Sequence, residues 1–129
     1  MFSSYLANKM LDLTLKGVAF TAIANGYVAL TTVSNPATAS EAAYTGAEVT
    51  GGSYARQMMT VGTASTKQDS NTNALTWTNL PAGTITAVMI FDAVSGGNLL
   101  YYGPLSAPAT IAAGGGYQLP ASTLINALT

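Results

Sequence analysis

The feature that most limits the possible folds is a series of short apolar segments separated by turn residues. After residue 17 these segments recur about every 8–12 residues and are rich in Val, Ile, Thr and aromatic side chains. Such spacing is typical of antiparallel sandwiches and barrels, whereas a doubly wound fold requires helical segments between its strands. The sequence therefore predicts a mainly β fold: an antiparallel β-sandwich or jelly-roll-like barrel of about eight strands, preceded by one N-terminal helix.

Several segments have the composition of strands, and turn signals rich in Gly, Pro or Asn separate most of them. They are residues 18–23, 27–33, 54–61, 74–78, 84–91, 99–102, 109–112 and 117–128. Asn25-Gly26 predicts a hairpin between the first two, because this dipeptide favours the tight turn of hairpins. Residues 84–91 have the strongest strand character, which indicates a central strand, and residues 35–52 are predicted to form a loop.

The first residues have helical spacing instead, which predicts a helix over about residues 3–16. Its apolar stripe is Leu6, Met10 and Leu13. Ser3 or Ser4 can cap the start of the helix, because a serine hydroxyl accepts a hydrogen bond from an amide of the first turn. Gly17 is suited to the position after its last turn. The stripe is expected to pack against the core, and contact with another subunit is the alternative.

One domain is predicted over residues 1–129, with the helix at about residues 3–16 and the β-sandwich at about residues 18–129. The chain contains no internal repeat and no charged linker. Residues 17–34 carry no charge, but Asn25-Gly26 interrupts them, and they lack the continuous apolar run of a membrane span. The sequence therefore predicts no membrane segment, and the N-terminus lacks the basic region of a signal peptide.

Charged residues are scarce, with four Lys or Arg, five Asp or Glu and a net charge of −1. A folded chain of this mass exposes roughly 6,000 Å², which gives about one charge per 700 Å². Soluble monomers usually carry several times more. The surface is therefore expected to be coated with neutral polar residues, covered in part by other subunits, or both. Four basic residues are also too few for the electrostatic footprint of a nucleic-acid-binding protein.

The composition also argues against catalysis. The chain has no His and no Cys, which excludes a Ser-His-Asp triad, a thiol nucleophile, a disulfide and a Cys/His zinc site. The five acids are scattered, and no calcium-ligand spacing occurs among them. The glycine run 114–116 lacks the lysine of a phosphate-binding loop. We therefore expect a protein that is not an enzyme and that holds no cofactor or metal.

Five residues are candidates for a subunit interface: Phe2, Tyr5, Arg56, Tyr101 and Tyr102. Arg56 is the only arginine, and two roles are open for it, an ion pair across an interface or a bridge to Glu48 or Asp92 within the domain. Tyr101 and Tyr102 are neighbours in a predicted strand, so one ring is expected on each face. One of them is expected in the core, and the other could anchor a partner, since tyrosine is enriched at interfaces.

Two glycine-containing motifs are the most specific part of the sequence: Gly-x-Glu-Val-x-Gly-Gly-x-Tyr-Ala-Arg at residues 46–56 and Phe-Asp-Ala-x-x-Gly-Gly-Asn-Leu-Leu at residues 91–100. With residues 4–12 and 27–30, they extend in order along nearly the whole chain. The set resembles a family of small tailed-phage virion proteins of similar length, many of them labelled tail fibre proteins. The chain departs from that family at Gly114–Tyr117, where an acid would be expected after the glycine turn.

The resemblance implies a structural role in a virion. The interpretation favoured here is a capsid decoration, or cement, protein on the capsid exterior, which bridges and stabilises subunits of the major capsid protein. Its partners would be that protein and copies of itself, as a dimer or trimer, with no nucleic acid and no membrane. A small tail-fibre or baseplate component that takes part in host adsorption is the alternative, followed by a carbohydrate-binding module.

Overall fold

A computed structural model describes residues 1–127 and confirms a mainly β, antiparallel fold with one N-terminal helix and eight strands. Helix α1 spans Ser4–Leu11 and continues as a π-helical segment over Asp12–Lys16, and a short helix α2 spans Glu41–Gly46. The strands are β1 Gly26–Thr31, β2 Gln57–Met59, β3 Gln68–Ser70, β4 Leu75–Leu80, β5 Gly83–Phe91, β6 Leu99–Ile111, β7 Gly115–Leu119 and β8 Ile125–Ala127.

The strands form one four-stranded sheet and two two-stranded sheets rather than a closed barrel. The four-stranded sheet has the order β2-β1-β5-β6, and the small sheets pair β3 with β8 and β4 with β7. All strand pairs are antiparallel. Strand β5 lies between β1 and β6, and its last five residues are all buried, which confirms the prediction that this segment is central.

The four-stranded sheet is covered on both faces. One face packs through Val28, Leu30 and Ile90 against the β4–β7 sheet, whose Trp77 and Leu80 are almost fully buried. Met89, Phe91 and further side chains of the opposite face pack against Tyr44 of α2. Alternate residues of β1 and β5 therefore serve two different cores, as the alternation of side chains along a strand requires.

Helix α1 begins as predicted. Ser3 caps it, because its hydroxyl accepts a hydrogen bond from the amide of Leu6 at 3.1 Å. Gly17 ends the π-helical segment with a φ of 68°, a left-handed conformation that glycine adopts without steric cost. Leu6 is buried and Met10 packs against the core, but Leu13 is 45% exposed. The prediction that the stripe packs against the core is therefore wrong for Leu13, and the alternative, contact with another subunit, stays a prediction.

The predicted hairpin around Asn25-Gly26 does not form. Residues 18–23 are irregular, and the two neighbours of β1 are β2 and β5. Gly26 is paired with Met59 of β2, so both edges of β1 are already occupied and residues 18–23 have no edge to join. A turn dipeptide specifies a hairpin only where its flanking segments can pair with each other.

Other segment boundaries also differ from the predictions. The loop predicted at residues 35–52 contains α2, which Ser40 caps by accepting from the amide of Ala43 at 3.2 Å. The predicted strands 99–102 and 109–112 fall in one strand, β6, which ends at Ile111. Its prolines are tolerated because it is an edge strand of the four-stranded sheet. The predicted strand 117–128 divides into β7 and β8, and its last residue lies outside the described residues.

The glycine run after Ala113 has a structural reason. A Cβ at Gly116 would lie 2.8 Å from the carbonyl oxygen of Trp77, and one at Gly115 would lie 2.9 Å from that of Ala112. Both distances are too short for a larger residue. The close approach of Gly116 to β4 and of Gly115 to the preceding turn therefore disfavours a side chain at these two positions, which lie where the chain departs from the resembling family.

Candidate functional site

The two glycine-containing motifs, far apart in sequence, meet around the side chain of Arg56. Its guanidinium forms a bidentate ion pair with the Glu48 carboxylate, with Nε–Oε1 and Nη2–Oε2 distances of 2.8 Å each. Its Nη1 donates to the carbonyl oxygens of Ala93 at 3.1 Å and Gly96 at 2.7 Å. We call Glu48, Tyr54, Arg56 and Phe91, with these two carbonyl groups, the Arg56 cluster.

The ring of Phe91 supports the guanidinium from one side. The Arg56 Cζ atom lies 3.5 Å from the ring centroid, a cation–π contact. The side chains of Arg56 and Glu48 are only 10% and 19% exposed. Hydrogen bonding to the Glu48 carboxylate raises the pKa of Arg56 above its ordinary value. Of the two roles open for Arg56, these contacts correspond to the bridge to Glu48 within the domain.

Tyr54 completes the cluster. Its hydroxyl donates to Glu48 Oε1 at 3.0 Å and accepts from the backbone amide of Leu30 at 3.1 Å. The cluster thereby ties the 46–56 motif to β1 as well as to the 92–98 turn. Burial is the main cause that raises the pKa of Tyr54 well above its usual range, and the charge of Glu48 acts in the same direction.

The 92–98 turn is organised by Asp92, its first residue. Asp92 Oδ1 accepts from the backbone amide of Asn98 at 2.6 Å, and Oδ2 accepts from the Asn98 side chain at 2.9 Å. Gly97 has a φ of 74°, and a Cβ there would overlap Asp92 Oδ1. In the other motif, Gly52 has a φ of 58°, and a Cβ there would overlap the carbonyl oxygen of Asn79. The motif residues are therefore explained by packing within the domain.

The other predicted interface residues are half-buried and already have partners within the chain. The rings of Phe2 and Tyr101 lie 5.4 Å apart, and those of Tyr102 and Tyr44 lie 4.8 Å apart, edge to face. Tyr101 and Tyr102 thus occupy opposite faces of β6, as expected of neighbours in a strand. Tyr5 packs against the core beside Lys9, whose Nζ lies 5.8 Å from its ring centroid. A role of these residues at an interface stays a prediction.

A different surface, which the sequence analysis did not identify, exposes large apolar side chains. We call it the apolar ridge: Leu11 and Leu15. Leu13, which belongs to the predicted stripe of Leu6 and Met10, and Val18 are exposed as well. Leu15 is 78% exposed and Leu11 is 55% exposed, one helical turn apart on the side of the helix away from buried Leu6. The same 3.6-residue periodicity that marked the core stripe could have revealed this second stripe. The sequence prediction considers only one apolar face of this helix, so the second stripe lies outside it.

Among residues 1–127, no three His, Cys, Asp or Glu side chains are grouped so that they could hold a metal ion. In the same range no helix is both long and apolar enough to cross a membrane. Trp77, the only tryptophan, is buried and donates from Nε1 to the carbonyl oxygen of Ala55 at 2.9 Å. It is therefore part of the core and not an exposed aromatic platform.

Comparison with known proteins gives the family. The family model described as Podophage GP4 fiber I protein gp80 matches residues 1–126. The chain belongs to this fibre protein family. A search of curated proteins finds no match. Membership in the Podophage GP4 fiber I family makes the chain a structural protein of a bacteriophage virion, which confirms the coarser part of the resemblance noted in the sequence.

Because burial raises the pKa of Tyr54, high pH is expected to destabilise the fold. In the unfolded chain this phenol ionises near pH 10, so above that pH the unfolded state loses protons that the native state retains, and stability falls. Tyr54→Phe removes the effect but leaves the Leu30 amide without an acceptor, at a cost of about 1–2 kcal/mol near neutral pH.

The stability difference between Tyr54→Phe and the unmodified chain should therefore shrink as pH rises from about 9 to about 11. Urea unfolding of both proteins across this range measures the difference directly. The lysines and the other tyrosines are the same in both chains, so their contributions to the pH dependence cancel in the stability difference. A difference that stays constant up to about pH 11 would contradict the prediction.

Proposed function

We propose that the chain is a non-catalytic docking subunit of the fibre assembly, which binds a second copy of itself through the apolar ridge. The exposed ridge is the observation that carries the proposal. Apolar side chains that are fully covered contribute about 1.5–3 kcal/mol each relative to the exposed state. Leu15, at 78% exposure, therefore has most of such a contribution available for a partner.

The charge distribution around the ridge is compatible with a like partner. Its charged neighbours Asp12 and Lys16 pair with each other at 3.5 Å along the helix, which leaves little net charge beside Leu11 and Leu15. Two copies of one surface approach each other without strong repulsion only when that surface is close to neutral. A neutral apolar ridge on a chain with few charges therefore supports self-association.

Leu15→Lys is expected to raise the dissociation constant of the self-associated form at least about tenfold, because it removes an apolar contact and places a charge in the interface. Analytical ultracentrifugation of both chains over a range of concentrations measures this change. Val94→Lys is the matched control, since Val94 is 57% exposed in the 92–98 turn, outside the ridge. A monomeric unmodified chain, or equal association of Leu15→Lys, would reject the ridge as the self-association surface.

Capsid decoration is the second candidate, and the scarcity of charge favours it. A cement protein that is covered by capsid subunits gains little from a charged coat, and nine charged side chains in 129 residues fit that requirement. In this role the partner would be the major capsid protein and the location would be the capsid exterior. The family description, which names a fibre protein, supports the fibre role instead.

An experiment on the particle separates the two candidates. Phage that lack this protein should retain heads of normal stability and lose adsorption or fibres if the chain is a fibre subunit. If the chain is a cement protein, the particles should adsorb normally but release DNA on heating at a lower temperature. Locating the chain at the head or at the tail by electron microscopy of the unmodified particle gives an independent answer.

A further inference from the structure

An open cleft lies beside the small β3–β8 sheet, where that sheet approaches the four-stranded sheet. Its volume is about 380 Å³, within the range of small-molecule sites. The lining includes Ile90 and Leu100 of the four-stranded sheet and Tyr101 beside them. Asp69 of β3 and Asn126 of β8 contribute the polar side. The cleft therefore joins an apolar and aromatic wall to a carboxylate and an amide.

The polar groups of the cleft have unused hydrogen-bonding capacity. Asn126 Nδ2 donates to Asp69 Oδ1 at 3.0 Å, which orients the two side chains toward each other. Within residues 1–127, the hydrogen bond of the Asp69 side chain uses Oδ1, and neither Asp69 Oδ2 nor the Tyr101 hydroxyl takes part in a hydrogen bond. The three side chains are half-buried. A carboxylate oxygen that accepts and a phenol that both donates and accepts are therefore available on the cleft wall.

The position of these groups is fixed by the fold. Buried Asn71 donates to the carbonyl oxygen of Pro120 at 3.0 Å and accepts from the amide of Leu124 at 2.9 Å, which anchors the segment that leads into β8. On the other side, Phe2 supports the Tyr101 ring. The two walls of the cleft are therefore held independently of any ligand, which lowers the entropic cost of binding one.

The chemistry of the lining selects among ligand classes. Among the described residues that line the cleft, the only charged side chain is that of Asp69, so anions such as phosphate are disfavoured. A single carboxylate is also too few ligands for a divalent cation. An aromatic ring, apolar neighbours, a carboxylate and an amide instead match a neutral molecule with one apolar face and adjacent hydroxyl groups. That description fits a pyranose sugar, whose C–H face packs on aromatic rings while its hydroxyls bond to carboxylate and amide groups.

We propose that the cleft between Tyr101, Asp69 and Asn126 is a binding site for a neutral saccharide. Asp69 accepts hydrogen bonds from a pair of adjacent sugar hydroxyls, Asn126 donates to one of their oxygens, and the Tyr101 ring packs against the sugar. This site lies apart from the apolar ridge, so it is independent of the proposed self-association.

The test is a titration of the full chain, labelled with ¹⁵N, with the methyl glycosides of glucose, galactose, mannose, rhamnose and N-acetylglucosamine. At least one glycoside should shift the side-chain amide signals of Asn126 in a saturable manner. Asp69→Asn should weaken that binding about tenfold or more, because an acceptor for the hydroxyl pair becomes a donor. Tyr101→Phe should weaken it less, since the ring remains.

Tyr102→Phe is the control, because Tyr102 lies on the opposite face of β6. This variant should bind the glycoside with the same affinity as the unmodified chain. Spectra without sugar show whether each variant retains the fold. The proposal is overturned if no glycoside shifts the Asn126 signals, or if Asp69→Asn binds with unchanged affinity. Ultracentrifugation of Asp69→Asn keeps the two proposals separate, because this variant should self-associate normally.

Discussion

Arg56→Ala is expected to destabilise the domain by about 3–5 kcal/mol, because it leaves the Glu48 carboxylate buried without its charged partner. The carbonyl groups of Ala93 and Gly96 lose their donor as well, so the 92–98 turn loses its attachment to the 46–56 motif. For a domain of this size the midpoint of thermal unfolding should fall by about 10 °C or more. Differential scanning calorimetry and urea unfolding measure both quantities.

Lys16→Ala is the matched control for the loss of a positive charge. The Lys16–Asp12 pair is exposed, with side chains 73% and 41% accessible, so its removal should cost less than about 0.5 kcal/mol. The double variant Glu48→Gln/Arg56→Ala should be less destabilised than the sum of the single variants, because each single variant leaves one charge without its partner, whereas the double variant leaves none. Additive effects, or a cost of Arg56→Ala close to that of Lys16→Ala, would show that the cluster contributes little.

Gly52→Ala is expected to cost about 2–5 kcal/mol, because a left-handed φ and an overlap with the Asn79 carbonyl oxygen act together. Its neighbour Gly51 also has a positive φ, 102°, but a Cβ there would meet no atom within 4 Å. Gly51→Ala should therefore cost only about 1–2 kcal/mol. Gly46→Ala, in α2 and without positive φ or crowding, should be neutral or slightly stabilising.

We expect the same order of stability costs for the two glycines of the second motif. Gly97 combines a φ of 74° with an overlap with Asp92 Oδ1, whereas Gly96 has a φ of 62° and open space. Urea unfolding of the four alanine variants should therefore rank the second glycine of each pair as the more sensitive one. Equal costs within each pair would mean that backbone conformation alone accounts for these glycines and that close packing does not.

Local patterns predicted the elements that depend on local interactions. Ser3 and Gly17 delimit the N-terminal helix because caps act within one turn. Residues 84–91 form the central strand because six of their eight side chains are apolar. These features depend on residues that are close together in sequence.

Features that depend on distant residues were not predicted. Residues 18–23 have strand composition, yet β2 and β5 occupy the edges of β1 that they would need. The partner of Arg56 stayed open between an interface and the domain, because sequence spacing does not show that Glu48 lies beside it. The cleft proposed to bind a saccharide joins β3, β8 and residues at the start of β6, and only the tertiary fold brings Asp69, Tyr101 and Asn126 together.

The internal ion pair of Glu48 and Arg56 also reduces the number of charges that are exposed to solvent. Seven of the nine charged side chains lie outside this pair. Among these seven, Asp12 and Lys16 neutralise each other along the helix. Dissolved ions weaken attraction and repulsion between exposed charges, and this chain has few exposed charges. Contacts made by such a surface should hold almost equally well in dilute water and in concentrated brine, a useful tolerance for a particle that passes between environments.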